Sequence, residues 1–91
     1  MNPAEIRALR NALDLTQAQF AQLLGVHHLT VWKWEQGRSR PTPHHIAMMQ
    51  SFRKAQRNDP DIGAAVLGVL LGAGVAAAIF LLLKTAFEKV R

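Results

Sequence analysis

A run of 22 residues without a polar side chain constrains this chain more than any other feature. It reads IGAAVLGVLLGAGVAAAIFLLL and covers residues 62–83. As one α-helix it would be about 33 Å long, close to the roughly 30 Å thickness of the hydrocarbon core of a bilayer. Because exposing that much apolar surface to water is costly, the run predicts a single transmembrane helix.

Small residues recur at every fourth position within this run. Ala64, Gly68, Gly72 and Ala76 would share one face of a continuous helix, and Gly68 and Gly72 match the GxxxG pattern. Small residues on one stripe let two helices approach closely in lipid. The stripe therefore predicts helix–helix association between two copies of the chain.

Charge divides the chain into two unlike parts. Residues 1–57 contain eight Lys or Arg residues against three acidic ones, whereas residues 62–83 contain no charge. A basic part suggests an anionic partner, and an uncharged apolar part suggests lipid or protein. Three of the basic residues lie just before the apolar run, at 53, 54 and 57, and three follow it, so charge barely decides a membrane orientation.

Helix-start and helix-stop signals recur before the apolar run. Asn2 and Pro3 predict the start of a first helix, and Thr16 with Gln19 three residues later predicts a second. Gly25 is expected to end the second helix in the left-handed conformation. A third helix is predicted over 28–36 and a fourth from residue 43 to about residue 58, followed by a linker at 58–61.

Several function classes are disfavoured. The chain has no cysteine, which excludes disulfides and thiolate metal sites. Its four histidines form two adjacent pairs, and neighbours on a helix point about 100° apart, so no metal site is expected. No catalytic constellation or phosphate loop is evident, so neither an enzyme nor a cofactor is predicted. The first residues contain no long apolar run, so no cleavable signal peptide is expected.

The segment TQAQFAQLLGV, followed by TVWKWEQGRSRP, carries a specific pattern of small, apolar and turn residues. Two short helices joined at Gly25-Val26-His27 form a helix-turn-helix pattern. Over residues 5–56 the chain resembles the lambda-repressor/Cro-like helix-turn-helix family. The resemblance implies a small helical bundle that places its third helix in the major groove of DNA.

The resemblance also implies roles for individual residues. The exposed positions of the third helix would read base edges, and positions near the ends of the second and third helices would contact the DNA backbone. The first group is His27, His28, Leu29 and Lys33, with Trp32 at its margin; the second group is Gln17, Arg38 and Arg40. His27 departs from the family pattern, which usually has Ser or Thr there as the helix cap.

A structural ion pair between Arg10 and Glu35 is implied by the same resemblance. In this family a basic residue of the first helix often pairs with the acidic residue that ends the third. Such a pair would connect elements far apart in sequence. Trp34 is expected in the core.

Together these observations predict an all-α protein: a small helix-turn-helix bundle followed by a single C-terminal transmembrane helix. Its domains would be 1–57 for DNA binding, 58–61 as linker, 62–83 in the membrane and 84–91 as a basic tail. The function expected is that of a membrane-tethered transcriptional regulator of bacterial or phage type, its N-terminal domain cytoplasmic. Double-stranded DNA, membrane lipid and a second copy are the expected partners.

Two alternatives remain open from the sequence. One is a soluble, cytoplasmic dimeric repressor or antitoxin-like protein that uses residues 62–90 as a hydrophobic dimerisation helix. The glycine content of the run disfavours this, because each interior glycine costs about 1 kcal/mol of helix propensity in water. The other is a helix-turn-helix interaction module in a membrane complex.

Overall fold

The computed structural model describes residues 1–88 and folds them into α-helices throughout. Short turns of two to seven residues join consecutive helices. In chain order the helices are α1 (Pro3–Ala12), α2 (Gln17–Leu24), α3 (His28–Glu35), α4 (Pro43–Asn58), α5 (Ile62–Gly72) and α6 (Val75–Phe87).

The local signals for α1 to α4 act as the sequence predicts. Asn2 and Thr16 each form a complete capping box with the residue three positions later, and Thr42 caps α4 through its hydroxyl. Gly25 ends α2 with φ of 68°, a left-handed conformation that glycine adopts without strain. The expected starts of these four helices are confirmed, and α3 ends one residue earlier than expected, with Gln36 as its C-cap.

The apolar run is two helices rather than one, so the prediction of a continuous helix over 62–83 is wrong. α5 ends at Gly72, and α6 begins at Val75 after a turn at Ala73 and Gly74. Gly74 has φ of 100° and an extended ψ, a conformation that is open to glycine and strained for other residues. The chain reverses at this point and forms a helical hairpin, here called the α5–α6 hairpin.

The prediction of a C-terminal transmembrane helix is therefore wrong as well. α5 has 11 residues and α6 has 13. At 1.5 Å per residue they are only about 17 Å and 20 Å long, against roughly 30 Å of hydrocarbon. Within residues 1–88, no helix has both the length and the apolar character that crossing a bilayer requires.

The hairpin is instead the last layer of the hydrophobic core. α6 lies along α4 in the most extensive helix–helix contact of the described chain, and it also touches α2. The side-chain amide of Asn58, at the end of α4, donates to the carbonyl of Thr85 in α6 at 2.9 Å. The inner side of the hairpin shares one continuous core with α1 to α4 through Ile62, Val66, Leu70, Ala78, Leu82 and Ala86.

The segment predicted as a linker is a tight corner. α4 ends at Asn58, and the N–H of Ile62 donates to the carbonyl of Asp59 at 3.0 Å. α5 therefore begins immediately after the corner and packs back on the bundle. Of the predicted basic tail, Lys84 to Phe87 belong to α6, and residues 89–91 lie outside the described residues.

The small-residue stripe predicted for helix–helix association does not form one line. Ala64, Gly68 and Gly72 lie on α5 and Ala76 lies on α6, beyond the turn. All four are exposed, and a Cβ added at Gly68 or Gly72 would meet no other atom within 4 Å. The stripe thus belongs to the outer side of the hairpin, away from the core.

Candidate nucleic-acid interface

α2 and α3 form a compact helix-turn-helix unit. Ala21 of α2 is 2% exposed and Val31 of α3 is fully buried, so a small residue and a branched one fill the crossing. The N–H of Val26 donates to the carbonyl of Ala21 at 3.0 Å, which fixes the turn after Gly25. The turn sets the direction in which α3 leaves α2.

α3 is divided sharply into an inner and an outer side. Val31, Trp34 and Glu35 are buried against the other helices. The outer side carries His28, Leu29, Trp32, Lys33 and the capping residue Gln36, all exposed. Leu29 is 51% exposed and Trp32 is 36% exposed, so the outer side of α3 also presents two large apolar side chains to solvent.

His27 caps α3 although it replaces the usual hydroxyl residue. Its ring Nδ1 accepts the N–H of Leu29 at 3.2 Å, so the neutral ring carries its proton on Nε2. The ring of His28 lies beside it, with 4.3 Å between centroids. The imidazole thus supplies the cap that a hydroxyl would otherwise supply.

Arg38 is held beside the outer side of α3. Its guanidinium lies 5.2 Å from the ring centroid of Trp32, a cation–π contact, and its backbone N–H donates to the carbonyl of Lys33 at 2.9 Å. Two exposed cations, Lys33 and Arg38, therefore flank the exposed indole.

Arg40 lies in the loop between α3 and α4 and is exposed. It lines one side of a cleft of about 540 Å³ that opens between this loop and the start of α1. Trp34, Ile46, Met1 and Asn2 also line this cleft.

Glu35 is the centre of a buried polar cluster behind α3. Its side chain is 2% exposed and accepts two hydrogen bonds from Arg10, from Nε at 2.7 Å and from Nη2 at 2.9 Å. Arg10 also donates to the carbonyl of Leu15 at 3.0 Å. This bidentate pair ties the end of α3 to α1 and to the turn before α2, and so fixes α3 against the bundle.

The charge state of Glu35 follows from its neighbours. Burial raises the pKa of this carboxyl, but hydrogen bonds from Arg10 and Gln17 and the positive charges of Arg10 and Arg7 outweigh burial, so its pKa lies below the usual value. Glu35 is thus held ionised. The pKa of Arg10 is raised in turn, chiefly by its hydrogen bond to Glu35.

Two residues of this cluster differ from what the sequence suggested. Gln17, expected at the DNA backbone, donates its amide to Glu35 at 3.3 Å and is half-buried. Arg7, for which the sequence predicted no role, donates from Nη2 to the backbone carbonyl of Glu35 at 2.8 Å. Its position three residues before Arg10 on α1 is the signal that would have found it.

The exposed surface around α3 carries positive charges that no exposed carboxylate of the same stretch neutralises. Between residues 15 and 58 the sequence contains a single acidic residue, Glu35, and that residue is buried and paired. The exposed charges of the helix-turn-helix unit and its following loop are Lys33, Arg38 and Arg40. No carboxylate of this stretch faces solvent, so nothing in it repels a phosphate group.

The structure thus places five of the predicted contact residues, His27, His28, Leu29, Trp32 and Lys33, at the exposed part of α3 and its cap. Arg38 joins them through Trp32. Arg40 lies further along the loop, and Gln17 is engaged with Glu35. The DNA contacts of all these residues stay predictions.

Comparison with known proteins agrees with this geometry. Over 64 residues, 70% of this chain, it is 30% identical to the Type II methyltransferase M.MspI of Moraxella sp, of which the match covers only 15%. No solved structure matches the chain significantly. Residues 4–49 match the family described as helix-turn-helix domain, which spans α1 to α3 and the first half of α4. This chain belongs to the helix-turn-helix domain family.

Proposed function

We propose that this protein is a sequence-specific binder of double-stranded DNA that regulates transcription, and that it is not an enzyme. The observation that carries the proposal is the outer side of α3. It combines a cationic side chain, two imidazoles and an exposed leucine on a helix whose inner side is fixed in the core. An α-helix of this kind fits the major groove of B-form DNA.

The chemistry of that side suits the edges of base pairs. Lys33 can donate to the O6 and N7 atoms of guanine, and the Nε2–H of His27 can donate to the same acceptors. Leu29 is suited to the methyl group of thymine. Arg38 and Arg40, which follow α3, are suited to phosphate oxygens, and these contacts position the helix without reading sequence.

A binding assay on the full chain separates these roles. Duplexes selected from a random pool and unselected duplexes would be titrated by fluorescence anisotropy at several salt concentrations. Lys33→Ala is expected to weaken binding to selected sites by roughly 1–3 kcal/mol while changing random-sequence binding little. Arg40→Ala is expected to weaken both kinds of binding similarly and to reduce the slope of affinity against salt by about one.

Arg57→Ala is the matched control, because it removes one exposed positive charge from the far end of α4. It is expected to have a smaller effect than Arg40→Ala. Equal losses from Lys33→Ala on selected and random DNA would refute base reading by α3. Absence of salt-dependent binding to any duplex would refute the proposed function.

A further inference from the structure

The turn that ends α3 brings the next residues back over the outer side of that helix. Gly37 has φ of 73°, the left-handed conformation that commonly follows the last helical turn. Its N–H donates to the carbonyl of Trp34 at 3.2 Å, and the N–H of Arg38 donates to the carbonyl of Lys33 at 2.9 Å. These two hydrogen bonds form a Schellman motif, so the backbone itself fixes where the side chain of Arg38 starts.

Arg38 fills a place in this motif that is often apolar. In Schellman motifs, the residue after the left-handed glycine frequently makes an apolar contact with the last turn of the helix. Here the contact is with Trp32: the guanidinium carbon of Arg38 lies 5.2 Å from the ring centroid. That distance is within the roughly 6 Å over which an aromatic ring attracts a cation. None of the ion pairs within residues 1–88 involves Arg38, so the indole is the contact that restrains its guanidinium.

We propose that Trp32 is a positioning residue for Arg38 at the DNA backbone, and that it does not itself read a base. The role deepens the proposed function and rests on it: Arg38 binds a phosphate group, and Trp32 holds its side chain ready to do so. An arginine that lies against a ring keeps its N–H donors free, because they lie in the plane of the guanidinium. The helix-turn-helix pattern alone places Trp32 at the margin of the base-reading group, whereas the contact with Arg38 gives the exposed indole a different task.

Arg40 provides a comparison within the same loop. Both arginines are exposed and follow α3, but of the two only Arg38 makes a described cation–π contact. An unrestrained arginine loses rotamer freedom when it binds a phosphate, whereas a side chain that is held beforehand loses less. Arg38 should therefore contribute more to DNA affinity than Arg40, although the two carry the same charge.

Tryptophan fluorescence tests the contact in the full chain without DNA. Acrylamide, a neutral quencher, reports mainly Trp32, because the other tryptophan, Trp34, is 3% exposed against 36% for Trp32. Arg38→Ala is expected to raise the quenching constant, since it uncovers part of the indole. Arg40→Ala removes the same charge from the same loop and is expected to leave the quenching constant unchanged. Circular dichroism checks that each variant keeps the native helix content.

Fluorescence anisotropy with selected and random duplexes tests the role at DNA. Trp32→Leu keeps an apolar side chain and removes the aromatic ring, and it is expected to weaken binding to both kinds of duplex by about 2- to 5-fold. Trp32→Tyr keeps a ring and is expected to retain most of the native affinity. Arg38→Ala is expected to weaken binding to both by on the order of tenfold, and Trp32→Leu should then add no further loss.

Four outcomes would overturn the role of Trp32. Unchanged binding by Trp32→Leu would show that the indole does not act at DNA, and a loss confined to selected duplexes would make it a base reader. An equal loss from Trp32→Leu with and without Arg38 would show that the two residues act independently. A quenching constant unaffected by Arg38→Ala would show that the contact does not form. A native chain that binds no duplex in a salt-dependent manner would instead refute the proposed function, and the role of Trp32 at DNA with it.

Discussion

Gly63 at the start of α5 lies so close to the end of α1 that a Cβ there would overlap the backbone carbonyl of Leu13. Both residues are buried. The contact is backbone to backbone, which only glycine permits, and it joins the hairpin directly to the helix-turn-helix bundle.

We therefore expect Gly63→Ala to lower the free energy of unfolding by roughly 1–3 kcal/mol, because neither backbone can move aside without disturbing the core. Gly68→Ala is the control: that glycine is helical, exposed and free of neighbours within 4 Å. Its replacement should raise the stability by up to about 1 kcal/mol through helix propensity. Urea denaturation of the two variants measures both, and equal effects would show that α5 does not pack on α1.

A chain that ends after Asn58 should fail to fold cooperatively. Phe52 and Ala55 of α4 are fully buried, and α4 makes its largest contact with α6. Removal of the hairpin would expose that side of α4, and few domains retain stability after losing a core layer of this size. The matched control ends after Glu88 and keeps every described helix. A cooperative thermal transition of residues 1–58 near that of the control would contradict the single core.

Acid should destabilise the protein through Glu35. Because its pKa lies below the ordinary value of 4.5, the folded chain binds fewer protons than the unfolded chain near that pH. The stabilisation is complete above about pH 5 and is lost as the pH falls through the lowered pKa. Glu35→Gln should lower the free energy of unfolding by about 3 kcal/mol at neutral pH, since it leaves Arg10 without its charge partner. The same substitution should reduce the dependence of that free energy on pH in acid.

Glu5 is the internal comparison for that experiment. Its pKa is also lowered, chiefly by a hydrogen bond from the backbone of Asn2, but the side chain is exposed. Glu5→Gln should therefore leave most of the acid dependence in place. Urea denaturation at a series of pH values checks both variants, and an unchanged profile for Glu35→Gln would exclude Glu35 as its source.

His27→Ser separates the capping role of this residue from its predicted role at DNA. Serine is among the preferred N-cap residues, so the cap should survive and the stability should rise by on the order of 0.5 kcal/mol. The ring that can reach a base would be gone. A variant that is more stable and yet binds selected DNA more weakly would assign His27 to both tasks. His28→Ser, which removes a neighbouring exposed ring without touching the cap, should change stability by less than about 0.5 kcal/mol.

The sequence predicted the first half of this fold well, because its signals there are local. The caps at Asn2, Thr16 and Thr42 and the left-handed Gly25 each depend on a few adjacent residues. The contrast between Val31 and Lys33 likewise separates an inner from an outer side of α3 within one turn. For that reason the exposed residues of the candidate site could be predicted from the sequence.

The hairpin was not predictable in the same way, because both of its sides are apolar. Periodicity reveals a buried side only when the other side is polar, and residues 62–83 offer no such contrast. On α5 the larger residues Ile62, Val66 and Leu70 face the core and the small residues at 64, 68 and 72 face outward. Size alone does not separate the sides, because Gly63 is buried and Leu71 is exposed. The turn depends on the conformation of Gly74, and nothing in the sequence distinguishes that glycine from Gly68 or Gly72.

The contact of Gln17 could not be predicted from the sequence for a different reason. Its place at the start of α2 suggests a free amide, but its partner Glu35 is 18 positions away in the sequence. Only the packing of α3 on α2 brings the two together. Contacts that bridge helices in this manner require the tertiary structure.

The order in which the helices are synthesised gives the glycine turn at Gly74 a further significance. The hairpin leaves the ribosome after the four helices that receive it. For that interval it is a nascent segment with 22 consecutive apolar residues, and extended or straight it would be attractive to lipid and to other unfolded chains. Early reversal at Gly74 halves the length of that segment and lets its inner side close on a surface that is already formed. We therefore expect folding of this segment to compete with its association with lipid or other chains, and the conformation of Gly74 to favour folding.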